Sequence, residues 1–253
     1  MSVPRWLPAA LLVAAAIGML AHGPIPQTPN YHDFADKRAL LGVPNSLDVL
    51  SNVPFLVVGL WGLWAMRAPG QGAARAGYAL FAWGLILTSI GSGFYHLAPD
   101  NFRLVFDRIP IALAAAGLIA GTRAATVARS QSPWFTVGLG IAAIASVLWW
   151  YATDLRGRGD LGPYLYIQFA PLVVVPLWQA IGEDSTRNRL AFAAAIVLYG
   201  AAKVAEVEDK AIFASLGIMS GHTIKHLLAA AAAVSLVSMA LPGNIRSHGP
   251  ARV

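Results

Sequence analysis

The sequence predicts an all-α integral membrane protein: a seven-transmembrane-helix core plus one extra N-terminal helix. Three observations predict it. Of 253 residues, 57% are hydrophobic and only 12% are charged, against about 25% charged in a typical soluble domain. Apolar runs near the roughly 20 residues that a bilayer requires recur along the whole chain. The stretches between them are short and hold helix breakers, such as Gly23-Pro24-Ile25-Pro26, Ala68-Pro69-Gly70, Ser132-Pro133 and Gly162-Pro163. No polar run is long enough for a separate soluble domain.

Taken in order, the runs lie at roughly 5–22, 46–66, 74–96, 105–122, 134–151, 163–181, 189–206 and 222–241. The first follows Arg5 and ends at Ala21-His22-Gly23, a pattern shared with secretory signal peptides. It is long for a signal, which favours a retained helix, so residues 1–23 form an N-terminal transmembrane helix or uncleaved signal anchor. The second run opens with Asn45-Ser46-Leu47-Asp48 and carries Ser51-Asn52. The third closes with Ser92-Gly93-Phe94-Tyr95-His96, and the fourth opens on the same side with Phe106-Asp107-Arg108. Trp149 and Trp150 late in the fifth, with Tyr164, Tyr166 and Gln168 early in the sixth, suit the membrane interface. The seventh runs into Glu206, Glu208, Asp209 and Lys210, either partners that orient the histidines from behind or, the reading preferred here, a solvated helix end. The eighth opens with Gly221-His222-Thr223-Ile224-Lys225-His226. Residues 24–242 make up the seven-helix membrane domain, and 243–253 a short polar tail.

Charge and cysteine content narrow the chemistry. The net charge is +6, but no basic stripe with interleaved aromatics exists, so nucleic acid is not an expected partner. Arginines in short loops orient membrane helices instead. With the N-terminus placed in the cytoplasm, the 18 Lys and Arg divide evenly between the two sides and do not set the orientation. The acids are lopsided: of 12, only Glu183 and Asp184 fall on the inner side. The polar chemistry therefore gathers at the outer half of a multi-pass protein of the cell membrane, on its periplasmic or extracytoplasmic side. Cysteine is absent, so a metal would be held by His, Asp or Glu.

His222 and His226 are four residues apart and share one helix face, as do Ser92 and His96. The number of crossings between them places both helix ends on one side of the bilayer, whichever way the chain is inserted. Three histidines with one open position form a catalytic zinc arrangement, in which bound water has a pKa near 7. Such a site requires His96 within about 7 Å of the pair, given zinc–nitrogen bonds of ~2.1 Å. Asp107 is placed to take a proton or to orient a histidine from behind. Simpler uses compete. Two histidines at this spacing arise by chance in many helices, or ligate haem. Ser92 can bond a helix carbonyl, and Arg108 can neutralise Asp107 in a structural ion pair. Ionisable groups inside a membrane are costly and tend to be functional, which weights the set toward a metal site. His32 and His248 lie in polar flanks and read as exposed, while His22 has no assigned role.

The ordered set Ser92-x-x-x-His96, Asp107 and His222-x-x-x-His226, with Ser51-Asn52 in the second span, resembles the alkaline ceramidases. These belong to a wider group of seven-span hydrolases that includes the progestin and adipoQ receptors. The resemblance covers roughly residues 30–240. It implies a Zn2+ ion on His96, His222 and His226, with Ser92 and Asp107 assisting a zinc-bound water, and a membrane lipid as substrate. The implied reaction is hydrolysis of the amide in ceramide or a related N-acyl lipid; a non-catalytic receptor or lipid-binding protein with a structural metal is the alternative. Animal members also bind Ca2+ through an acidic segment, for which Asp33, Asp36 and Asn45 are the counterparts here. Arg38 stands where the family has a neutral oxygen ligand, and Asn45 replaces a carboxylate. The Ala-rich, Arg-over-Lys composition suggests a bacterial member, and many bacteria lack ceramide, which points toward another N-acyl lipid.

Overall fold

The computed structural model describes residues 3–241, and the tail expected at 243–253 lies outside the described residues. Among the described residues the chain forms ten helices and no strand. They are α1 (Leu7–His22), α2 (Ser46–Leu50), α3 (Val53–Ala65), α4 (Ala74–Leu97), α5 (Asn101–Thr126), α6 (Pro133–Asp154), α7 (Gly162–Ile181), α8 (Thr186–Val207), α9 (Asp209–Leu216) and α10 (Gly221–Met239). Seven segments are long and apolar enough to cross a bilayer: the α2–α3 pair taken together, then α4 to α8, and α10. The protein is thus an all-α, multi-pass membrane protein with a seven-helix core.

The extra N-terminal helix is present but short. Its 16 residues span about 24 Å, less than the ~30 Å hydrocarbon core. It lies along α7, where the Tyr166 hydroxyl donates to the Leu12 carbonyl at 3.0 Å.

Two boundaries differ from the sequence expectation, each for a local reason. The second span is not one helix but two, interrupted at Ser51-Asn52. Pro54 has no N–H to donate and favours the first turn of a helix, so α3 starts afresh there. The fourth span begins at Asn101 rather than 105, because Asp100 caps it, accepting from the Arg103 N–H at 2.7 Å. Asp107 and Arg108 consequently sit inside the helix, nearly two turns from its start, and both are buried.

α5 is the central element and packs on α4, α6 and α7, while α10 packs on α8 and α3. The α4–α5 contact is close because glycines recur every seven residues on α4, at Gly77, Gly84 and Gly91. A Cβ at Gly77 would strike the Gly121 backbone, and one at Gly91 would strike the Phe106 carbonyl. Small residues let membrane helices approach until backbones touch. α7 and α8 are consecutive yet meet only sparsely, bridged by Gln168 donating to the Tyr199 hydroxyl at 2.9 Å.

Candidate metal centre

Two helix ends carry the three histidines. His96 occupies the last turn of α4, and His222 and His226 the first two turns of α10. Ser220 caps α10 by accepting from the Thr223 N–H at 3.0 Å. Gly221 lets that end press against α8 and α9, since any Cβ would meet the Ala205 carbonyl. All three imidazoles are buried, at 1%, 5% and 4% exposure. Each offers a ring nitrogen, and the three nitrogens lie within 4.8 Å of one another. The Nε2 atoms of His96 and His222 are 3.2 Å apart, well inside the 7 Å bound. The site residues His96, His222 and His226 are therefore brought together as a group that can bind a metal ion.

The His96–His222 pair has the spacing of two ligands on one tetrahedral ion. Zinc–nitrogen bonds of 2.0–2.1 Å at tetrahedral angles hold two ligand nitrogens about 3.3 Å apart. Facing Nε2 atoms share at most one proton as a hydrogen bond, and the buried Nδ1 of His96 has no partner at all. A cation drawing on both Nε2 atoms would satisfy the facing pair, beside which the Lys225 ammonium lies 3.4 Å from His222 Nε2. No fourth His, Asp or Glu joins the group among the described residues, so one coordination position stays open. Haem does not fit: three rings in mutual edge contact, with centroids 4.7–5.1 Å apart, leave no space for a macrocycle between any pair.

A layer of residues orients the histidines. The Ser51 hydroxyl lies 2.8 Å from His226 Nδ1 and 3.1 Å from the Asp48 carbonyl. A hydroxyl that donates to the carbonyl accepts from the ring, which puts the proton on Nδ1 and leaves Nε2 free. Asp48 is fully buried; its Oδ1 accepts from Thr223 at 2.6 Å and Ser220 at 3.3 Å, fastening α2 to the start of α10. The helix break at Ser51-Asn52 is what frees these groups to point sideways. Asp209 accepts from the His222 N–H at 2.7 Å through one oxygen and from the Ala35 N–H at 2.8 Å through the other. It thereby pins the 24–45 segment over the site, where Phe34 stacks on His222 and His96 at 4.3 and 4.8 Å between centroids. Of the two readings of Asp209, the structure takes the partner and not the solvated helix end: it is buried, and its neighbour Glu206 is also engaged, holding Lys203 and, at 2.7 Å, Lys225.

Ser92 and Asp107 lie near each other across the α4–α5 contact. Both line a cavity of about 1000 Å³, together with His222, His226 and Lys225. The rest of its wall is mainly apolar and includes Phe55, Leu85, Leu118, Leu172 and Phe192. The structural ion pair of the competing reading, between Asp107 and Arg108, is not formed: among the described residues, Arg108 has no ion-pair partner. His32, expected to be exposed, is half-buried and bridges the Tyr95 hydroxyl and Asn101 Oδ1, both at 2.8 Å.

The residues expected to hold calcium are engaged separately. Asp33 binds Lys210 at 2.6 Å and Lys37 at 2.7 Å, and these two cations hold its carboxyl at a pKa of about 2. Asp36 grips Arg38 through both oxygens, at 2.8 and 2.7 Å, which keeps it below the usual carboxylate range. Asn45 donates its amide to the His96 carbonyl at 2.7 Å. Calcium needs a cage of uncommitted oxygens, and here each acid already has its own cation.

No protein-family profile matches the chain, and no curated protein is significantly similar to it.

Proposed function

We propose that the protein is a zinc-dependent intramembrane hydrolase that cleaves the amide bond of ceramide or a related N-acyl lipid at the outer half of the cell membrane. The observation that carries this reading is the buried three-histidine group with an open position, on the wall of a large apolar cavity that also presents Ser92 and Asp107. Structural zinc sites are closed by four protein ligands, and catalytic ones keep a place for water. That contrast favours an enzyme over a receptor with a structural metal. The resemblance to the alkaline ceramidases points the same way. When bound, zinc would acidify water and polarise a carbonyl.

The chain's own residues supply the rest. Asp107 takes a proton from the attacking water and passes it to the leaving nitrogen as the C–N bond breaks and the new C–O bond forms. While Asp107 is ionised, the nearby Ser92 hydroxyl serves as its donor in this scheme. Once Asp107 is protonated, that hydroxyl is released to donate to the oxyanion developing on the former amide carbonyl. The products are a fatty carboxylate and an amine. The acyl chain suits the seam between α7 and α8, where Phe169, Leu172 and Ile196 line the cavity and are also partly exposed on the outer surface. A lipid tail entering there need not cross water.

Metal analysis and product mass spectrometry on purified wild type and His222→Ala test the proposal. Wild type should carry about one zinc per chain and release fatty acid, and the variant should lose both. Full activity with less than about a tenth of an equivalent of zinc would overturn it.

A further inference from the structure

Arg108 has no role in the chemistry above, yet it lines the same cavity. The other cationic side chains there are matched: Lys225 and Lys203 hold Glu206, and Lys210 holds Asp33. Arg108 is 3% exposed, and its Nη1 is buried without an acceptor. Its guanidinium sits among Trp150, Tyr31 and Tyr164, with ring centroids at 4.0, 5.1 and 5.4 Å from Cζ. Aromatic faces stabilise the cation but accept nothing along its N–H edge. The Trp150 indole N–H beside it also lacks an acceptor. A buried guanidinium that lines a cavity and lacks an acceptor, at membrane depth, is expensive to maintain unless a ligand completes it.

We infer that Arg108 anchors an anionic group on the amine portion of the substrate, so that the lipid is an N-acyl amine bearing a carboxylate or phosphate close to its amide nitrogen. The inference rests on the hydrolase reading for the position of the amide. Arg108 and Asp107 line the same cavity and their charges interact, so a single lipid head group there can present an anion to Arg108 and its amide to Asp107. Planar guanidinium edges recognise carboxylate and phosphate through paired hydrogen bonds. A neutral head group would leave Nη1 as it is.

Binding to the zinc-loaded, full-length protein in phosphatidylcholine nanodiscs tests this with three probes of equal chain length: N-palmitoylglycine, N-palmitoylethanolamine phosphate and neutral N-palmitoylethanolamine. At least one anionic probe should bind about ten-fold or more tightly than the neutral one. Arg108→Gln should abolish the difference while retaining zinc, and Arg108→Lys should restore part of it. Which anionic probe wins identifies the carboxylate or the phosphate as the natural group. Equal binding of all three probes to the wild type overturns the inference without any variant, as does a preference that survives in Arg108→Gln; in both cases Arg108 is a packing cation only. Fatty-acid release, followed in parallel, separates the two readings. A charge preference without hydrolysis sinks the amidase and leaves the anion site, and hydrolysis without a charge preference does the reverse.

Discussion

At the residue scale, the Ser51 hydroxyl decides which nitrogen of His226 is available to a cation. Partners of this kind are worth about 10–100-fold in metal affinity. Ser51→Ala should weaken zinc binding by that factor in a chelator competition, and Ser51→Thr should restore it; unchanged affinity in Ser51→Ala would show that the contact is incidental. Asp107 makes a different prediction, because it is not a ligand. Asp107→Asn should keep full zinc occupancy while lowering kcat by about 10²–10⁴, the usual worth of a general acid–base group. Asp33 supplies a pH dependence. Its folded-state pKa of about 2 lies below the ordinary 3.8, so the tie it makes between the 24–45 segment and α9 is complete above pH 4 and is lost as the pH falls through about 2. Hydrogen exchange of the segment around Phe34 should therefore be flat from pH 8 to 5 after correction for intrinsic rates. A rise within that window would mean that another group holds the segment down. Because Asp33 is exposed, the tie should also weaken in 1 M salt.

At the scale of elements, the approach of α4 to α5 sets the distance between Ser92 and Asp107. Gly91 has no room for a Cβ, whereas a Cβ at Gly93, two residues on, meets nothing within 4 Å. Gly91→Ala should push the Phe106 carbonyl away, lower the melting temperature and reduce activity together. Gly93→Ala should be neutral or stabilising by up to about 1 kcal/mol, from helix propensity alone. Equal melting temperatures for the two variants would show that the glycine seam does not set the helix spacing. The helices themselves were legible in the sequence, since runs of apolar residues between Pro and Gly breakers report spans directly. The break between α2 and α3 was legible only as a polar pair ahead of Pro54, and its consequence was not: hydropathy averages over a window and cannot see a turn that redirects two side chains. α9 was missed for the same reason, being only eight residues long and merged with the polar approach to α10.

At the scale of the whole molecule, the histidines could be grouped from the sequence because bilayer crossings are a counting argument. An even number of crossings returns the chain to the same side, and helical spacing then puts His222 and His226 on one face. What counting cannot supply is the lateral arrangement of helices. It offered Asp209 as a partner of the histidines only as an alternative, and gave no sign that Asp48 would brace α10 or that Arg108 would stand unpaired in an aromatic cage, since these depend on which helices are neighbours. The same arrangement would make a metal held by the three histidines a structural link, joining the end of α4 to the start of α10, which are far apart in the chain and otherwise share few contacts. An ion that binds only the folded bundle stabilises it by about 2.7 kcal/mol at a free concentration one hundred times its Kd. For a chain of this size that corresponds to a rise of roughly 5–11 °C in melting temperature. Zinc added to chelator-treated protein should produce that rise. His222→Ala, which leaves two ligands, should show little or none of it. Calcium should produce none in either protein, because Asp33 and Asp36 already hold their cations and imidazole is a poor ligand for it. A wild type that melts at one temperature with and without zinc would mean that the three rings converge for packing alone, and the proposed chemistry would lose its footing with them.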